Sequence, residues 1–245
     1  MGDKIEIWHN EEMPYPKAII FDCDGVLIDS EHAHFRAWQH AFALQNGLLT
    51  LEKYRTYVGY DIRATAKLAA EEWPFLSAEK LLADKIEHYD AAKKNGLPSI
   101  ESTVDFLKKL TKEKRKFDLK IGVASASRRE DIDCHLIHLG IQDCFDLVVS
   151  GFHDLQEYQD PEGTNKPKPY IYLEVAKLLN LNPEECVAIE DSRTGILSAI
   201  AAGFITIALP NSFTLYQDLK EAHLTLQTLD QTDIEHFLYL CSQAK

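Results

Sequence analysis

No stretch of these 245 residues approaches the ~20 consecutive apolar positions that a helix needs to span a bilayer. The opening residues, Met1-Gly2-Asp3-Lys4-Ile5-Glu6, lack the charged-then-apolar order of a secretory signal, and Glu6 stands where an N-myristoylation site requires Ser or Thr. Cysteine is scarce and scattered: Cys23, Cys134, Cys144, Cys186 and Cys241 form no C-x-x-C pair, and their odd number argues against a disulfide framework and for a reducing compartment. Positive charge is also in short supply, with 26 Lys+Arg against 39 Asp+Glu and a net charge of −13. A sequence-independent grip on nucleic acid comes from neutralising phosphates with Lys and Arg, so that class is excluded. The one basic run, Lys112-Glu113-Lys114-Arg115-Lys116, reads as a solvated helix end. The expectation is a soluble, cytoplasmic protein with neither a nucleic-acid nor a membrane partner.

What is present is ordinary globular composition, 45% hydrophobic and 27% charged, in a chain long enough to bury a core without disulfides or structural metal. Short β-branched-rich runs occur at Ala18–Phe21, Leu119–Ala124, Leu147–Val149, Cys186–Ile189 and Phe204–Leu209, with helix-like segments between the later ones. This alternation predicts βαβ units and a doubly wound parallel sheet covered on both faces. One interval is too long. Nothing strand-like lies between Phe21 and Leu119, although a crossover needs only a dozen or more residues. The interval holds amphipathic stripes instead, with His34, Phe35, Trp38 and Phe42 on one segment and Leu81, Leu82, Ile86 and Tyr89 on another. A small helical unit is therefore inserted, entered near Ser30-Glu31 and left through Gly96-Leu97-Pro98-Ser99. The expected division is a core of residues 1–30 and 98–245 and a helical unit of residues 31–97.

Three of the strand-like runs end directly in polar groups: Phe21 is followed by Asp22, Ala124 by Ser125, and Ile189 by Glu190-Asp191. In a parallel sheet these ends share one edge, and open α/β sheets place their ligand sites outside that carboxyl edge. Taken singly, each residue has a plainer reading. Asp22 and Asp24 serve equally well as turn residues, Ser125 as a helix cap, and Glu190-Asp191-Ser192 as a helix opening. Lys166, in Asn165-Lys166-Pro167-Lys168-Pro169, lies at the start of a helix running through Leu179, where a cation is favourable only if an anion is near. Carboxylates crowded at one edge repel unless a cation intervenes. Their hard oxygens suit Mg²⁺, which keeps waters and accepts a substrate phosphate. An aspartate is also an established acceptor of phosphoryl groups, and a second carboxylate two residues away can move the protons.

Four ordered segments together resemble the haloacid dehalogenase superfamily of phosphohydrolases, in its beta-phosphoglucomutase-like branch with a helical cap. They are Asp22-Cys23-Asp24-Gly25-Val26-Leu27-Ile28-Asp29-Ser30-Glu31, Val123-Ala124-Ser125-Ala126-Ser127, Lys166-Pro167-x-Pro169, and Ile189-Glu190-Asp191-Ser192 with Gly195. The resemblance implies a Rossmann-like core with an inserted α-helical cap. It implies Asp22 as nucleophile and Asp24 as general acid/base, with Asp22, the Asp24 carbonyl, Asp191 and Glu190 around Mg²⁺. Ser125, Ala126 and Lys166 would hold the transferring phosphoryl group, and His34 and Lys85 fall where the mutase has cap residues facing substrate. The alternative for those two is a satisfied histidine on an apolar stripe and a solvated helix lysine; Arg63 reads as a surface residue. An aspartate at position 24 argues against dehalogenase and phosphonatase chemistry, since relatives of those kinds lack it. The implied activity is a Mg²⁺-dependent phosphatase acting on a small phosphorylated metabolite, a sugar phosphate, with a phosphomutase as the alternative. Leu27-Ile28-Asp29-Ser30-Glu31 is the phosphatase-like version of a segment where the mutase carries more threonine.

Overall fold

The computed structural model describes residues 15–58 and 62–244, so the amino-terminal readings at Met1–Glu6 lie outside the described residues. Six parallel strands form one sheet in the order β3-β2-β1-β4-β5-β6. They are β1 (Ala18–Phe21), β2 (Lys120–Ser125), β3 (Leu147–Ser150), β4 (Cys186–Glu190), β5 (Ile205–Ala208) and β6 (Leu224–Thr225). The chain runs outward from β1 in one direction, returns, and leaves from its other side as β4. The order therefore reverses between β1 and β4, where α/β sheets of this kind open a crevice.

Alternation along β1 shows why the strand is apolar throughout. Ile19 and Phe21 face one buried cluster, with α5 (Glu101–Glu113), α6 (Arg129–His138) and α9 (Ile234–Gln243). Ala18 and Ile20 face another, with α7 (Tyr170–Leu179) and α8 (Arg193–Ala201). A strand wrapped on both faces has no polar position to spare. The two-residue β6 has no such signature and was not among the expected strands; it pairs through Ile207↔Leu224 at the sheet margin, where its residues stay partly exposed.

Between β1 and α5 lie α1 (Ser30–Leu44), α2 (Leu51–Arg55), α3 (Ile62–Glu72) and α4 (Ala78–Lys94), with no strand among the described residues of the interval. They enclose a third cluster of their own, built on Trp38, Phe42, Tyr54, Ala69 and Leu81. Asp29, Thr50 and Ser77 cap the starts of α1, α2 and α4 by accepting backbone N–H bonds, each offsetting part of a helix end's unmet donors. The two linkers run side by side: Asp29 N–H donates to Pro98 O at 2.9 Å, and Ile100 N–H to Leu27 O at 3.0 Å. No helix among the described residues is long and apolar enough to cross a membrane.

Candidate active site

Asp22 follows β1 directly, and its N–H donates to Ile189 O at 3.0 Å, which ties the start of the loop to β4. The chain then reverses tightly. Gly25 adopts φ +81°, its N–H bonds to Ile28 O at 2.8 Å, and a Cβ built there would lie 2.3 Å from Asp191 Oδ2. Only glycine satisfies both the dihedral and the space. The turn aims Asp24 toward the end of β2, where Oδ2 accepts from Ser127 Oγ at 2.7 Å and from Ser125 Oγ at 3.4 Å. Ser127 N–H in turn donates to Ser125 Oγ at 3.1 Å. Ser125 is the last, fully buried residue of β2, while α6 starts at Arg129, so its reading as a helix cap is corrected. Ser192, by contrast, does cap α8, accepting from Gly195 N–H at 3.2 Å.

Lys166 reaches into the same space from the loop before α7, whose first helical residue is Tyr170; Pro169 is the residue that precedes it. Its ammonium donates to Asp22 Oδ1 at 2.7 Å, Glu190 Oε1 at 2.6 Å and Ala124 O at 3.1 Å, which uses all three of its protons. Lys168 points elsewhere and pairs with Asp160 and Glu162. Glu190 Oε1 also accepts from Tyr172 O–H at 2.6 Å. Gly195 leaves the room this side chain occupies, since a Cβ there would lie 2.0 Å from Glu190 Oε2. Asp191 Oδ2 accepts from Asn211 Nδ2 at 2.7 Å.

Two buried carboxylates, Asp22 and Glu190, thus share one ammonium, and a third, Asp191, lies beside them. Burial, reinforced by Glu190 and Asp24 and only partly offset by Lys166, pushes Asp22 up to about 8. Burial, with Asp22 and Glu190 behind it, also holds Asp191 well above the usual carboxylate range. Lys166 goes the other way: burial alone would lower it, but Asp22 and Glu190 outweigh that and hold the ammonium charged. Each of the three acids offers an oxygen within 4.8 Å of the others, and Glu190 Oε2 is buried with no hydrogen-bond partner. An orphaned buried carboxylate oxygen beside two more carboxylates fits a hard divalent cation. The Asp24 side chain is not in this group; it faces the serines.

A cleft of about 740 Å³ opens over these residues, lined by Asp22, Asp24, Ser125, Ala126, Lys166 and Asp191. Glu31 of α1 and Val58 of the turn after α2 also line it. Asp24 and Glu31 also wall a second chamber of about 330 Å³, which His34, Tyr89, Lys93 and His135 line. His34 stacks on Tyr89 at 4.0 Å between ring centres, and burial, with Lys85 and Lys93 nearby, pushes it down to about 3, so the ring is neutral. Lys85 is not a solvated helix residue: α1 packs against α4, leaving it 2% exposed with its ammonium 4.3 Å over Tyr89. Burial pushes it down to about 8, against the pull of Glu31. It borders neither the cleft nor the chamber.

Four residues at the site were not singled out from sequence: Ser127, Glu31, Tyr172 and Asn211. Asn211 had a usable signal, for it lies just beyond β5 at the same sheet edge as the others. Ser127 sits two residues past Ser125 in a segment already noted. Tyr172 occupies an apolar helix stripe and announces nothing.

A family model described as haloacid dehalogenase-like hydrolase matches residues 16–203. The chain is 29% identical to hexitol phosphatase A of Escherichia coli over 222 residues, covering 89% of this chain and 94% of the other. It is 28% identical to the beta-phosphoglucomutase of Bacillus subtilis over 201 residues, 79% of this chain and 83% of that one. Among solved structures, beta-phosphoglucomutase from Clostridium difficile superposes with a TM-score of 0.67 at 27% identity, over 93% of this chain and 98% of the other.

Proposed function

The chain belongs to the haloacid dehalogenase-like hydrolase family, and from that premise we propose that it is a Mg²⁺-dependent phosphatase that hydrolyses a small phosphorylated metabolite, a sugar phosphate, through an aspartyl-phosphate on Asp22. One observation carries the reading: the Asp22 carboxylate, the Lys166 ammonium and the acids Glu190 and Asp191 meet within hydrogen-bond and metal-ligand distance at the reversal point of the sheet. In this reading residues 31–97 are a cap over a catalytic core of residues 1–30 and 98–245. Phosphatase names among the relatives support the substrate class.

Asp22, the Asp24 carbonyl, Glu190 and Asp191 would hold the ion, which when bound supplies positive charge against the phosphoryl oxygens. Lys166, Ser125 and the amides around Ala126 bind and orient those oxygens. A carboxylate oxygen of Asp22 attacks phosphorus as the bond from phosphorus to the leaving oxygen breaks, and the Asp24 carboxyl gives its proton to that oxygen. Asp24, now ionised, takes a proton from water, whose oxygen attacks the phosphorus of the aspartyl-phosphate. Inorganic phosphate leaves and Asp22 is free again. Asp24 suits both steps because it borders the cleft and the second chamber at once. The inserted helices would exclude bulk water and read the leaving group.

Incubation with Mg²⁺ and a panel of sugar phosphates tests the reading. The expected product is inorganic phosphate in step with free sugar; isomerised sugar phosphate without phosphate release would make the enzyme a mutase. Asp22→Asn should leave the circular dichroism spectrum unchanged while lowering turnover by about 10³-fold or more. Substantial turnover in that variant would remove Asp22 from the nucleophile's role.

A further inference from the structure

The loop after β5 touches the site and the inserted helices with neighbouring residues. Asn211 Nδ2 donates to Asp191 Oδ2 at 2.7 Å, and Gly25 O lies 3.4 Å from the same nitrogen. The amide has only one workable orientation. Its Oδ1 accepts the backbone N–H groups of Phe213 at 2.9 Å and Thr214 at 3.3 Å, so the nitrogen must face Asp191. Thr214 Oγ1 closes the turn by accepting Asn211 N–H at 3.0 Å.

Two residues on, Phe213 leaves the core. It is 3% exposed and belongs to the hydrophobic cluster of the inserted helices, not to either cluster of the sheet. Its ring meets His32 at 4.7 Å, Tyr54 at 5.8 Å and Phe35 at 6.2 Å, all edge-on. Arg55 of α2 adds a bond to Ser212 O at 3.0 Å and stacks 4.2 Å over the Tyr216 ring. Behind the turn, Gln217 Oε1 accepts Arg193 N–H at 2.7 Å, anchoring the loop to α8.

We propose that Asn211 and Phe213 are positioning residues that couple docking of the inserted helices to the orientation of the Asp191 carboxylate, and so to divalent-metal affinity. The inference rests on the reading of Asp191 as a metal ligand. The coupling is mechanical. One Asn211 side chain holds both the carboxylate and the backbone amide of Phe213, so withdrawing the ring from its seat pulls on the group that fixes Asp191. Hydrogen bonds from outside a metal's own ligands fix how those ligands turn, and losing one typically costs 10–100-fold in affinity. Linkage is reciprocal: an ion that binds more tightly when the helices are docked also favours their docking.

The experiment titrates Mg²⁺ into the full-length protein by calorimetry, alongside thermal melting. Asn211→Ala and Phe213→Ala should each raise the Mg²⁺ dissociation constant by about tenfold. The double variant should be no weaker than the singles, because both act through one connection. Phe213→Leu, which retains an apolar plug, should return affinity to within about twofold of wild type. Should Phe213→Ala fail to fold, Arg55→Ala, which removes the adjacent contact to Ser212, is read in its place. A lower melting temperature with unchanged Mg²⁺ affinity in the Phe213 variant would leave Phe213 a packing residue and overturn the coupling, as would additive losses in the double variant. Asp191→Asn separates the two levels: if it binds Mg²⁺ as wild type does, the metal reading itself fails, and the coupling with it.

Discussion

Lys166 and Lys85 are both buried lysines, one at the sheet edge and one among the inserted helices, and their surroundings drive them in opposite directions. Lys166 donates to Asp22, Glu190 and the Ala124 carbonyl, and its neighbours hold it charged despite burial. Lys85 rests on the face of Tyr89, with Glu31 its main source of compensating charge, and burial wins. Desolvation is common to both. What differs is the number of carboxylates brought within reach from other strands, and at the sheet edge the topology supplies several. The core site is thus a mutually dependent charge cluster, whereas Lys85 in the helical insertion rests on an aromatic face and lies closer to neutrality.

Replacing Lys166 breaks that contrast at its stronger end. Lys166→Met leaves Asp22 and Glu190, crowded beside Asp191, without their ammonium, and the metal-free protein at pH 8 should lose about 3–5 kcal/mol in urea unfolding. The loss should shrink toward pH 5, where Asp22, which burial pushes up to about 8, takes up its proton, and in saturating Mg²⁺. A variant as stable as wild type at pH 8 would mean the ammonium is dispensable to the cluster.

Gly195→Ala tests the same cluster by space instead of charge. A methyl placed 2.0 Å from Glu190 Oε2 must displace that carboxylate or the start of α8. The expected cost is about 1–3 kcal/mol, with weaker Mg²⁺ binding by calorimetry. Unchanged affinity would show that Glu190 need not stay where it is.

The smallest effect sharpens the other side. Lys85 titrates near 8 when folded against 10.5 when unfolded. Between those values the unfolded chain holds the extra proton, so the Lys85 contribution to stability should rise with pH from about 8 to about 10.5. Lys85→Met lacks this contribution. It should be more stable than wild type by about 1–2 kcal/mol at pH 7 and equal to it near pH 10.5, read from urea midpoints. A stability difference independent of pH would remove Lys85 as a buried charge.

Much of the core was legible because a strand covered on both faces leaves an uninterrupted apolar run, and the residue that ends the run is the one at the sheet edge. That rule places Asp22, Ser125, Glu190 and Asp191 without coordinates. Applied to the end of β5, the same rule reaches Asn211 as well. It does not reach Tyr172, an aromatic in an apolar helix whose hydroxyl happens to meet Glu190. Nor does it reach Lys85, which local pattern alone shows as a polar position on an amphipathic helix. The insertion was visible as an interval too long for a crossover; in the fold Asp29 N–H donates to Pro98 O where the chain enters and leaves the inserted helices.

The amino-acid order by itself determined the strand runs, the helical insertion and which side chains stand at the strand ends, because these follow from local apolar period and from the parallel sheet it implies. The tertiary structure decided which charges share a proton donor, which are stranded on an aromatic ring, and that Phe213 of the core is seated among the inserted helices. Those outcomes depend on distances between segments far apart in the chain, and electrostatic and packing energies depend on distance through space.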